Sequence, residues 1–450
     1  MDQADNLTES VTREDTAALR RSERVILATL AAVQFTSIVD FMVVMPLGPQ
    51  LMRALEINPA QFGLVVSSYT FAAGLAGFVA SSFVDRFSRR TAFLTLYAGF
   101  LVGTLLCGLA PTYEWLVLAR IATGAFGGIL GGMALAIVGD VFPEERRGRA
   151  TAALMSAFAL ASVAGVPLGL YLGTKLGWHA PFFALVAGGF PVLIVGALAL
   201  PPLRAHVRKS SVHPLRSVLE TYLHPNHLKA FALVVSLMLG SFALIPYISP
   251  YLVSNVGMAE TTLPLVYVAG GAATLFVAPL VGRLADHYGK LRVYRVIAPL
   301  SALLMLSIAY LPRGRFALAI AAVAALMVSN AGRMVAAMAM VTSSVEPHRR
   351  GGFMSANSSI QHLACGVGAF MGGVIIVETP TGRLENIGVV GLIAAGTTLV
   401  SLWLAGRLRA VGPELETGAV ATLAAAAEAT CDVGEPLADS AALPAGRQRR

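Results

Sequence analysis

Long apolar runs separated by short basic turns make up most of this chain, and that alternation bounds every architecture open to it. An α-helix rising about 1.5 Å per residue needs about 20 apolar residues to cross about 30 Å of hydrocarbon. Runs of that order recur at 25–51, 61–83, 91–110, 113–139, 148–174, 179–200, 230–253, 261–283, 291–311, 316–343, 351–378 and 386–408. Backbone in hydrocarbon must satisfy its own N–H and C=O groups, so each run is expected to be a transmembrane helix. Composition agrees: 56% of the 450 residues are hydrophobic and only 13% charged. A soluble domain carries about 25% charge, because its surface must be coated. The 44 glycines suit helices that approach closely in lipid. Cys107, Cys365 and Cys431 imply no disulfide framework.

The polar stretches divide the chain. Residues 1–24 are hydrophilic and mixed in charge, which predicts a cytoplasmic N-terminal segment without a cleavable signal peptide. The longest internal break, 201–229, carries Arg204, Arg208, Lys209 and Arg216 and is expected to be a cytoplasmic linker between six-helix bundles at 25–200 and 230–408. Residues 409–450 are rich in Ala, Glu and Gly, a composition that predicts a disordered cytoplasmic tail. Of the 33 Lys and Arg residues, only Arg53, Lys175, Arg313, Arg315 and Arg383 fall on the opposite side, with Arg120 and Arg333 inside spans. By the positive-inside rule both termini are expected in the cytoplasm.

The two sets of six helices share signatures. Ser81, Asp85 and Ser88 after the second run, followed by Arg89 and Arg90, recur 201 positions on as Gly282, Asp286 and Gly289, followed by Lys290 and Arg292. Pro143, Arg147 and Gly148 after the fourth run recur 203 or 204 positions on as Pro347, Arg350 and Gly351. Two loop signatures at nearly one offset indicate duplication of a six-helix unit.

These motifs resemble the major facilitator superfamily, and within it the twelve-helix drug:proton antiporter branch, over about residues 24–408. "GRLADHYGKLR" from Gly282 is similar to the superfamily's loop motif, and "SSFVDRFSRR" is its first-half copy with Asp85, Arg86, Arg89 and Arg90. "LVLARIATGAFGG" resembles the branch's fourth-helix pattern through Arg120 and Gly124, with Thr123 in place of Gln. "AGVPLGLYLG" resembles the antiporter motif of helix 5 through Gly165, Pro167 and Gly169, with Val166 interrupting the usual Gly-Pro. "GWHAPFF" from Gly177 is similar to the loop before helix 6, with His179 where Arg is common. The resemblance implies an all-α membrane protein of 12 transmembrane helices in two pseudo-symmetric six-helix bundles, with spans 1, 4, 7 and 10 lining a central cavity. The motif loops would gate alternating access.

Ionisable residues inside spans are costly and mark function by default. Asp40 lies about 16 Å from the far end of its run and Arg120 about 10 Å from the end of its own, depths compatible with a direct or water-bridged pair. Burial favours the neutral form of Asp40 and a nearby arginine the charged form. Proton coupling is one reading of the two; a structural salt bridge is the other. Arg333, with Asn330 on its helical face, could hold an anionic group or a neutral acceptor, because spans 7 to 11 show no obvious carboxylate. Span 11 carries Ser355, Ser358, Gln361 and His362, with the imidazole either titrating or packed. Tyr247 and Tyr251, beside Pro246 and Pro250, are expected to line the cavity or to pack. Asp85 and Asp286, at helix ends, are expected to accept helical N–H groups, while the basic residues latch helices and anionic headgroups. Gly165, Pro167 and Gly169 are expected to bend and close-pack helix 5.

No phosphate-cradling loop is present, since Leu284 stands six residues before Lys290 where the motif needs Gly and Leu291 follows where it needs Ser or Thr. No metal-ligand spacing, clustered catalytic site or nucleic-acid signature stands out, so neither enzyme, cofactor, metal nor nucleic acid is expected. The expected protein is a monomeric, multi-pass transporter of the inner or plasma membrane. It would exchange protons for a small amphipathic molecule or drug. Proton-coupled import, facilitated diffusion of a metabolite and a transporter-fold sensor are the alternatives.

Overall fold

The computed structural model describes residues 23–80, 87–201, 222–346 and 349–411, with the first helix traced back to Asp2 as backbone. The motif-loop residues Ser81, Asp85 and Arg86, expected to gate, most of the expected linker, Pro347 and the tail from residue 412 lie outside the described residues. Twelve helices are long and apolar enough to span a bilayer: Glu23–Val43, Pro59–Ala80, Arg89–Gly108, Tyr113–Val141, Glu144–Leu176, Ala180–Ala199, Pro225–Val256, Glu260–Tyr288, Lys290–Ile308, Phe316–Ser343, Arg350–Ile375 and Ile387–Ala405. They are spans 1 to 12 below. The face where span 1 begins and span 12 ends is the near face; the other is the far face.

Span 1 is shorter than hydropathy suggests. The apolar run continues to residue 51, but Pro46 and the Gly48-Pro49 pair stop the helix at Val43. A separate short helix, Gly48–Ala54, follows across the far face with Pro49 in its first turn, where no N–H partner is needed. The fold is also not purely helical. Between spans 11 and 12 a two-stranded antiparallel hairpin pairs Val377 with Glu385 and Glu378 with Leu384. Gly382 supplies the positive φ of its turn.

Irregular turns fall where proline demands them. Pro167 in span 5 donates no hydrogen bond, and the turn before it, Ala161–Gly165, widens to a π-helix. Span 7 narrows to a 3-10 turn at Ile245–Tyr247 around Pro246 and ends in a π-turn, Leu252–Val256.

Packing repeats between the halves. Following neighbours around the first six spans gives the order 2, 4, 3, 6, 1, 5. Among the second six it is 8, 10, 9, 12, 7, 11, the same order with six added. The halves meet where span 2 packs on span 11 and span 5 on span 8. Equivalent glycines do equivalent work. Gly165 and Gly169 of span 5 sit against Val39 and Val43 of span 1; 203 positions on, Gly368 and Gly372 of span 11 sit against Leu239 and Ala243 of span 7. Arg147 Nε donates to the Phe142 carbonyl at 3.4 Å, and Arg350 Nε to the Val345 carbonyl at 3.3 Å.

The hydrophobic core is asymmetric across the membrane. At the far face one cluster runs continuously from Val39 and Phe62 in the first half to Tyr247, Ala369 and Val390 in the second. At the near face it splits into two clusters, one per half. The helix pairs are therefore sealed at the far face and part toward the near one.

Candidate functional site

The fourth span is fixed at its start by Thr112, whose hydroxyl accepts the Trp115 N–H and caps the helix. Two turns on, Arg120 points into the first bundle and is 1% exposed, while Asp40 of span 1 is fully buried. Arg120 Nη1 donates to Asp40 Oδ2 at 2.7 Å. Thr104 of span 3 donates to Asp40 Oδ1 at 3.1 Å. The guanidinium also lies over the Tyr69 ring of span 2, its carbon 4.4 Å from the centroid. Four spans thus converge on one ion pair. Burying two charges costs several kcal/mol each, which a single Coulomb contact does not return. The second oxygen's hydrogen bond and the ring face make up part of the difference. Arg120 Nε still has no partner among the described residues.

Two aromatic contacts join this pair to the other half. Phe41, next to Asp40, stacks on Tyr69 with centroids 5.3 Å apart and on Phe242 of span 7 at 5.8 Å. Asp40 is also flanked by Val39, packed on Gly165 of span 5, the helix that meets span 8. The ion pair thus sits where the first bundle touches the second.

Arg333 of span 10 is fully buried. It donates to Thr398 of span 12 at 2.5 Å, to Ser241 of span 7 at 2.7 Å and to the side-chain oxygen of Asn330 at 2.8 Å. Its partners are all neutral. Tyr247 and Tyr251 line no open space in this conformation: Tyr247 donates to the Ala369 carbonyl at 2.6 Å and Tyr251 to the Ala309 carbonyl at 2.9 Å. Tyr247 also meets Phe62 of the first half edge to face, so it belongs to the far-face seal. His362 is half-buried, with Nδ1 2.8 Å from the Ser358 carbonyl of its own helix, and Gln361 beside it is half-buried too.

The described basic residues of the motif loops latch helices within a half. Arg89 pairs with Asp140 at the end of span 4, Arg90 donates to the Ala197 carbonyl of span 6, and Lys290 to the Ala339 carbonyl of span 10. Cations over carbonyl-rich helix ends are favourable. Asp286 is exposed in the last turn of span 8, an end that offers carbonyls, so its own helix gives it no free N–H groups to accept. Gly282 has open space around it. Gly289 has φ 93, where a side chain would be strained, whereas its first-half counterpart Ser88 has φ −57. That difference accounts for serine in one copy and glycine in the other.

Sequence reasoning missed Thr104, Tyr69, Ser241 and Thr398. Each is a hydroxyl-bearing residue in an apolar helix, and such residues often only bond their own backbone, as Thr123 does to Ala119. It also missed the far-face bridge in which Arg53 donates to both oxygens of Glu260, at 2.6 and 3.0 Å. Arg53 lies in the short far-face helix and Glu260 at the start of span 8, both outside the motifs.

The twelve spans and the repeated packing order define a duplicated bundle of membrane-length helices around a buried ion pair. The family model of the Major Facilitator Superfamily matches residues 30–369 and 230–425 of this chain. The chain belongs to that superfamily. Its members are secondary transporters, moving small molecules through the membrane that holds them. Among similar superfamily proteins, the inner membrane transport protein YdhP of Escherichia coli K12 is 27% identical over 366 residues, covering 80% of this chain and 91% of that protein. YtbD of Bacillus subtilis 168, named an uncharacterized MFS-type transporter, is 22% identical over 356 residues, covering 79% of this chain and 89% of its own. The fold is also similar to that of a bacterial homolog of the human lysosomal transporter Spinster, solved inward-facing and occupied. The TM-score is 0.67 at 16% identity, covering 87% of this chain and 99% of that one.

Proposed function

We propose that this superfamily member exports a small amphipathic molecule, drug-like in chemistry, in exchange for protons, by alternating access. The observation that carries the reading is the buried Asp40–Arg120 pair, made by four spans and placed beside the contact between halves. A carboxylate there holds its charge through Arg120; a proton delivered to it cancels that charge and loosens the guanidinium. Arg120 lies on Tyr69, Tyr69 on Phe41, and Phe41 on Phe242, so a shift of the guanidinium reaches span 7 through packed rings. Substrate and proton then compete for one conformational equilibrium.

The excess of Lys and Arg supports placing the near face and both chain ends in the cytoplasm, in an inner or plasma membrane, the location in YdhP's name. In that orientation the described conformation faces inward. Arg89, Arg90 and Lys290 stiffen each bundle at the cytoplasmic side so that it moves as one body, with Asp286 and Gly289 shaping the loop. Gly165, Pro167 and Gly169 give span 5 the bend on which it turns against span 8. Tyr247 and Tyr251 close the external side, and Gln361 and His362 face the cavity. The protein works as a monomer. The altered helix-5 motif, with Val166, favours proton-coupled import or facilitated diffusion as the second reading.

An export screen comparing overexpressing and deletion cells identifies the substrate. In everted vesicles with an acid interior, that substrate should accumulate and leak out when a protonophore is added. Equilibration without accumulation removes antiport in favour of the second reading, and accumulation insensitive to the protonophore removes proton coupling.

A further inference from the structure

The duplicated halves differ at their charged centres. In the first, an arginine of the half's fourth helix reaches its first helix and meets a carboxylate, Arg120 to Asp40 at 2.7 Å. In the second, an arginine of the fourth helix again reaches the first helix at 2.7 Å but meets a hydroxyl, Arg333 to Ser241. The repeat places Gly240 or Ser241 opposite Asp40, so no acid stands there. All five acidic residues among the described ones of this half, Glu260, Asp286, Glu346, Glu378 and Glu385, lie at a membrane face or in a connection outside the spans. Arg333 is fully buried with neutral partners alone, and its Nε is unpartnered among the described residues. A guanidinium stays charged at any physiological pH, so the described residues of this half hold a positive charge without an internal counter-ion among them.

One member of the cluster is less enclosed than the rest. Asn330 gives its side-chain oxygen to both Arg333 and Ser241 and is itself half-buried, with its amide nitrogen unbonded among the described residues. Half-buried Met334 and Met338 follow on the same helix at four-residue spacing, soft contacts for an apolar body of variable shape.

We infer that the Arg333–Asn330–Ser241 cluster is an anion-recognition point, selecting substrates that carry one negative group, a carboxylate, sulfonate or phosphate ester, on an apolar frame. This rests on the transport reading, since it names the class of substrate transported. Asn330 and Arg333 donate to the anion, which supplies the counter-charge that this half lacks among the described residues.

Equilibrium binding to the full chain in nanodiscs tests it, with three probes of one shape: naphthoate, naphthylmethanol and naphthylmethylammonium. The wild type should bind naphthoate at least about tenfold tighter than the other two, the scale of one charge-assisted hydrogen bond. Ser241→Asp supplies the missing carboxylate and should erase that preference, read as the ratio of naphthoate to naphthylmethanol affinity within the variant. Asn330→Asp offers Arg333 the same neutralisation from its own helix and decides the matter should Ser241→Asp misfold. A wild type without anion preference, or a preference that survives both carboxylates, overturns the inference. No gradient is imposed, so a protein that exchanges no protons would still show the selectivity, and the two readings fail separately.

Discussion

Asp40 depends on Arg120 more than a surface carboxylate would depend on its partner, because water cannot replace the guanidinium at a fully buried site. Arg120→Ala leaves a buried carboxylate with Thr104 alone and is expected to cost about 3–5 kcal/mol in unfolding from detergent micelles. Removing both charged groups should cost less than the two single losses together, the sign of a coupled pair. His179 makes a second prediction at this scale. It sits between spans 5 and 6 against Trp178, ring centroids 3.7 Å apart, and burial pushes its imidazole below the ordinary value of 6.5, opposed in part by a hydrogen bond to the Ala110 carbonyl. The unfolded chain binds this proton more readily than the folded one, so stability is full above 6.5 and declines as pH falls through that value toward the lower folded one. Melting temperature should therefore drop on acidification through that window, and His179→Gln should flatten the drop. Asp40 and Arg120 were legible from sequence as charges at compatible depths. Their neighbours Thr104 and Tyr69 were not, since a hydroxyl or ring in an apolar helix carries no mark of which side it faces.

At the scale of helices, close approach is set by a few glycines whose neighbours cannot yield. A Cβ at Gly124 of span 4 would collide with the backbone carbonyl of Tyr69 in span 2, whereas one at Gly132 of the same helix meets open space. Gly124→Ala should destabilise by about 1–3 kcal/mol, as overpacking does. Gly132→Ala should be neutral or stabilise by up to about 1 kcal/mol through helix propensity. Thermal unfolding of the two variants side by side checks the contrast. Hydropathy located all twelve spans, because a bilayer leaves no other use for such runs. It overran span 1, since Val44, Leu47 and Leu51 are as apolar as the helix that ends before Pro46. The hairpin at Val377–Glu385 was invisible for the same reason, with Val377 prolonging the apolar run of span 11. The glycine pairing of span 11 with span 7 became apparent only once the helices were packed, although the loop offset already pointed to it.

For the whole molecule, the balance between seal and opening is the property on which transport turns. The far face is closed by Phe62 on Tyr247, Phe41 on Phe242 and the Arg53–Glu260 bridge between the halves. That bridge is exposed, with the Arg53 side chain at 66% of its full accessibility, so its worth is about 0.2–1 kcal/mol. Glu260→Gln should shift the population toward a far-open state by that small amount, seen as a longer component in spin-label distances between residues 54 and 259. An unchanged distance distribution would show that the aromatic contacts alone hold the seal. The claim that binds residue, helix and molecule together is that a proton taken up by Asp40 against Arg120 drives the exchange of faces. Its most direct test is proton flux in proteoliposomes loaded with a pH-sensitive dye, recorded as substrate is added to wild type and to Asp40→Asn. The account predicts substrate-dependent flux in the wild type and none in Asp40→Asn, which should still swap labelled for unlabelled substrate across the membrane. Equal proton flux from the two proteins would contradict it.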